Sequence, residues 1–107
     1  MDSSITAIAD DFNKFIDGER IKIGSAKKSK LIVNYSIVTN KKYKAYKDIT
    51  LKAYMADSVS STELFELNFT EQGDNNRDPV LLKLIKEKLH IELFKLLYNN
   101  TDLNNYL

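Results

Sequence analysis

Cysteine and tryptophan are absent from this chain of 107 residues, histidine occurs once, proline once and glycine three times. Without cysteine there is no disulfide scaffold, no thiolate nucleophile and no zinc ribbon. The glycines Gly18, Gly24 and Gly73 stand alone, so they read as caps or turns and not as a phosphate-cradling loop. Any triad or metal site would have to be built around His90. On a helical wheel that residue falls beside Lys83 and Lys86, which predicts a solvated surface histidine. No stretch approaches the roughly 20 apolar residues of a membrane helix. The opening MDSSITAIADDF carries acid where a signal peptide needs base. The expectation is a soluble cytoplasmic protein with no membrane segment, cofactor, metal or small-molecule substrate.

What is present is ordinary globular material: 43% apolar and 29% charged residues, with a net charge of +1. That supports one α+β domain over residues 1–107 with a core of its own. The bases are 14 lysines and 2 arginines, and isoleucine, asparagine and tyrosine are plentiful. These are residues of A/T-rich codons, so the gene is expected to come from an AT-rich genome, such as a low-GC bacterium or its phage.

Two apolar periodicities organise the chain. Ile5, Ile8, Phe12, Phe15 and Ile16 recur at three and four, which predicts a helix from about Ser4 to Asp17, closed by Gly18. The middle alternates with period two. Leu31, Val33, Tyr35 and Ile37 form one run, Ile49, Leu51, Ala53 and Met55 a second, and Phe65, Leu67 and Phe69 a third. Short links favour an antiparallel meander. Arg20–Ile23 also alternates and leaves room for a fourth, leading strand. Asp78 followed by Pro79 starts a helix running to about Tyr98, beyond which residues 99–107 are expected to fray. The predicted architecture is an N-terminal helix, three or four antiparallel strands and a long C-terminal helix, with both helices on one face of the sheet.

Catalytic vocabulary is thin. Asp10 and Asp11 diverge as neighbours on a helix, and strand parity puts Glu63 and Glu66 on opposite faces. The serines of SVSST (58–62) lack any G-x-S-x-G or S-x-x-K context. The chain is therefore not expected to be an enzyme.

Two features point to binding. Between Arg20 and Lys52 there are ten bases against one acid, a surplus of nine; the remainder has six bases against fourteen acids. Lys27, Lys28 and Lys30 precede one strand, and Lys41, Lys42, Tyr43, Lys44 and Lys47 follow it. Lysine with tyrosine suits phosphate pairing and base stacking, phosphate-led and weakly sequence-specific. The plainer reading is that such turns solubilise a sheet edge. The C-terminal helix is apolar on two arcs. Leu81, Leu82, Ile85, Leu89, Leu93 and Leu96 belong on the sheet. Leu84, Ile91, Phe94 and Tyr98, with Glu87 among them, need a second cover, either the N-terminal helix or a partner. A protein partner or second copy makes the chain an inhibitor, adaptor or assembly factor of the kind phages and mobile elements encode. Its surface would be that arc or the polar sheet face with Lys52, Tyr54, Glu66 and Asn68. The alternative is a nucleic-acid-binding protein using the lysine-rich loops.

Overall fold

A computed structural model describes residues 3–74, 78–98 and 103–107. The element order is α1 (Ser3–Ile23), β1 (Lys30–Thr39), β2 (Tyr46–Ala56), β3 (Ser61–Gln72) and α2 (Pro79–Tyr98). The strands form one antiparallel sheet in the order β1-β2-β3. This is the α+β meander that the periodicities predict.

Helix α1 is longer than its apolar stripe suggests. It runs through Gly18 and ends at Gly24, whose φ of 69° is the left-handed conformation that terminates a helix. Its last turn closes with Ser25 N donating to Arg20 O at 2.9 Å. Arg20–Ile23 therefore belongs to α1 and not to a leading strand, and the sheet has three strands. Glycine inside a helix costs about 1 kcal/mol. The compensation lies two residues on, where Arg20 is buried and makes a set of hydrogen bonds available only if the helix continues.

The register places Leu31 opposite Met55, Val33 opposite Ala53, Tyr35 opposite Leu51 and Ile37 opposite Ile49, all on one face. Ile5, Phe12 and Ile16 of α1 and Leu81, Ile85, Leu89 and Leu93 of α2 form the layer above it. The fully buried ones among them, Ile5, Ile16, Leu81, Ile85 and Leu89, contribute roughly 1.5–3 kcal/mol each. β3 continues the face with Leu67 and Phe69 until the register steps. Ala53 opposes Phe65 but Tyr54 opposes Glu63, so Leu64 is the extra residue of a β-bulge.

Asp78 caps α2 as its sequence predicts, accepting from Val80 N at 2.9 Å with Oδ1 and from Asp74 N at 3.0 Å with Oδ2. Of the tail expected to fray, 99–102 lie outside the described residues. Leu103 is buried in the core, and Tyr106 and Leu107 pack against it. A polar sequence docks here because its backbone finds a partner: Arg20 donates to Tyr106 O through Nε at 3.2 Å and Nη2 at 2.7 Å.

Candidate interaction face

Helix α2 lies on the sheet through Leu81, Ile85, Leu89 and Leu93, which leaves its opposite side outward. Of the second arc, Leu84 is half-buried. Ile91 is 54% exposed, Phe94 62% and Tyr98 79%, and Val80 at 71% lies on the same side. The Phe94 and Tyr98 rings lie against each other with centroids 5.4 Å apart. Helix α1 does not cover this arc. Ile5, Phe12 and Ile16 of its stripe are spent on the core, and it meets α2 along one flank only. There the two helices enclose an open groove of about 240 Å³ lined by Phe12, Phe15, Leu93 and Phe94, with Asp11 and His90 also in its wall. Phe15 remains partly exposed there, and His90 is exposed as its wheel position predicts. The groove and the arc share Phe94 and form one apolar surface on the helix layer.

The lysine candidates are dispersed. Lys27 and Lys28 stand before β1 and Lys30 opens it; Lys41, Lys42, Tyr43 and Lys44 stand after it. The ten residues of β1 hold the groups about 30 Å apart. Lys47 leaves the set altogether: it is only 6% exposed, and its ammonium donates to Lys44 O at 3.1 Å. Position 47 shares the parity of Ile49 and Leu51, so the strand turns it to the covered face. Arg20, counted among the positive stretch, is 3% exposed and internally bonded. Lys27 donates to Asn105 O at 3.1 Å. What remains free in the β1–β2 hairpin is a tip of Lys41, Lys42, Tyr43 and Lys44, with the Lys42 ammonium 5.4 Å from the Tyr43 ring centroid.

The polar sheet face is internally paired. Lys52 Nζ lies 3.1 Å from Glu66 Oε1, and Thr50 donates to Asn68 Oδ1 at 2.9 Å. Glu66 holds the Lys52 ammonium above its usual range, by hydrogen bond first and charge second. Because of the Leu64 bulge, Glu63 and Glu66 stand on the same face, opposite Tyr54 and Lys52. The expectation that they diverge is thus corrected. The bulge adds one residue and reverses the alternation. Among the described residues no group of three or more metal-ligating side chains is gathered, and no helix is long and apolar enough to cross a membrane.

The fold and this surface define a small two-layer α+β domain with an uncovered apolar helix face. No family model matches the chain, and no curated protein or solved structure is significantly similar to it.

Proposed function

We propose that this protein is a small binding module that acts by occupying a protein partner through the outer face of α2 and the adjoining α1–α2 groove, without catalysing a reaction. The observation that carries this reading is the exposure of Ile91, Phe94 and Tyr98 on a helix whose opposite side already fills the core. Contiguous exposed apolar surface of this kind marks interaction sites. Its aromatic members, Phe94 and Tyr98, are side chains of the kind that dominate interface energetics. Inhibitor, adaptor and assembly factor are the roles such a module fills. The lysine reading is less well supported, because its two groups stand apart and Lys47 is buried.

The test compares wild type with Phe94→Asp. The circular dichroism spectrum is expected to be unchanged, because Phe94 is mostly in solvent, while retention of protein partners from an extract of the producing cell is lost. Mixed nucleic acid at about 50 mM salt, where phosphate contacts are strong, is expected not to retain the wild type. Retention there, abolished by replacing Lys41 and Lys42 with glutamate, would instead establish the nucleic-acid reading.

A further inference from the structure

The exposed side of α2 carries a row of residues at coiled-coil spacing, and that spacing is symmetric. Val80, Leu84, Glu87, Ile91, Phe94 and Tyr98 follow one another at steps of four, three, four, three and four. That is the a/d repeat by which one helix packs on another. At 100° per residue the row points about 160° away from the core row of Leu81, Ile85, Leu89 and Leu93. A repeat that reads 4-3-4-3-4 in both directions superposes on its own reverse. We infer that the occupant of this face is a second copy of the chain, its α2 running antiparallel, with the twofold axis passing beside Leu89. The inference rests on the binding-face reading above and names its partner.

Size and charge select this arrangement. In the reversed pairing Val80 meets Tyr98, Leu84 meets Phe94 and Glu87 meets Ile91, so the aliphatic half of each seam lies under the aromatic half of the other. Glu87, the only polar member of the seam, comes alongside His90 of the second copy. On the flanks Lys88 lies over the Phe69 ring and Lys95 pairs with Glu92, which leaves Lys83 and His90 as the groups that complement Glu87. A parallel pairing would set Glu87 against Glu87 inside an apolar seam, a like-charge contact that costs stability, and Tyr98 against Tyr98. A closed, self-complementary contact of this kind is the ordinary form of a homodimer.

The chain has no cysteine, so single cysteines report the geometry cleanly. Across the proposed axis the two copies of position 90 lie within about 3 Å of each other along the helix direction, and those of position 98 about 27 Å apart. The experiment is light scattering of the wild type at about 0.1 mM, with cross-linking of His90→Cys and Tyr98→Cys by a thiol reagent spanning about 10 Å. Expected are twice the 12.3 kDa chain mass, cross-linked His90→Cys, uncross-linked Tyr98→Cys, and monomers for Phe94→Asp and Ile91→Lys. Cross-linking of Tyr98→Cys but not His90→Cys would overturn the antiparallel register. A wild-type monomer would overturn self-association. In that case an unchanged melting temperature for Phe94→Asp keeps the face as a surface for another partner. A fall of about 10 °C or more shows that Phe94 serves the chain's own fold, and the binding-face reading fails too.

Discussion

Asn13 on α1 clasps Leu31 in β1 with both ends of its amide: Nδ2 donates to Leu31 O at 3.2 Å, and Oδ1 accepts from Leu31 N at 2.7 Å. The side chain thus does for one residue what a neighbouring strand would do. It fixes the height of the helix along the edge strand, because both ends of one amide must meet both backbone groups of one residue. Asn13→Leu, which keeps the bulk and removes the polar pair, is expected to lower stability by about 1–3 kcal/mol. Urea denaturation with an unchanged m-value is the check.

Arg20 ties three segments together. Nη1 donates to Ser29 O at 2.8 Å and Nη2 to Ser29 Oγ at 2.9 Å, and Nε and Nη2 both reach Tyr106 O. Asp17 lies 3.6 Å from Nη1 and supplies a countercharge. Removing the guanidinium leaves carbonyls unpaired at a buried point, so Arg20→Met is expected to cost about 2–4 kcal/mol. Arg20→Lys should recover less than half of that, since a point ammonium cannot fork between Ser29 and Tyr106. Equilibrium unfolding of the two variants decides it.

Gly73 is fixed by a close approach. Its N–H donates to Ala45 O at 3.0 Å, and a Cβ added there would stand 2.5 Å from Leu81 Cδ1. Leu81 is fully buried, so its side chain would have to shift inside the packed core. Gly73→Ala is therefore expected to lose about 1–3 kcal/mol through overpacking. Pairing it with Leu81→Val should restore part of that loss, a coupling that a double-mutant cycle measures.

Acid weakens the fold through three carboxylates held below their usual 3.8. Asp48 accepts from Asn40 and Thr70, Asp57 from the Ser60 and Val59 amides, and Asp78 from the Asp74 and Val80 amides. A depressed folded pKa means that the stability is present above the unfolded value and is lost as pH falls through the folded one. The melting temperature should therefore decline below about pH 4. Asp78→Asn, which keeps one acceptor but does not titrate, should show a shallower decline, read by calorimetry across pH 2–7.

Sequence periodicity finds every element here because alternation and helical spacing are local consequences of burial. What it misses depends on contacts from far along the chain. Gly18 looks like a helix end until Arg20 is seen reaching Ser29 and Tyr106. Glu63 and Glu66 look divergent because a bulge at Leu64 leaves no mark on a count of two. Lys47 reads as a free cation, although its parity with Ile49 places it with the covered residues; that signal was available in the strand pattern. The outward arc of α2 is legible as excess apolarity. Whether α1 covers it is decided by where α1 docks, and that depends on the Asn13–Leu31 clasp.

The bond from Arg20 to Tyr106 spans 86 residues. Closing so large a loop early costs chain entropy with little yet in place to compensate, so this contact is expected to form on the native side of the folding barrier. Interactions absent from the transition state govern how fast a protein opens and leave its folding rate nearly unchanged. The segment 103–107 is thus a latch on the lifetime of the folded chain. Loosening it shortens the time the molecule stays shut and barely alters the time it takes to form.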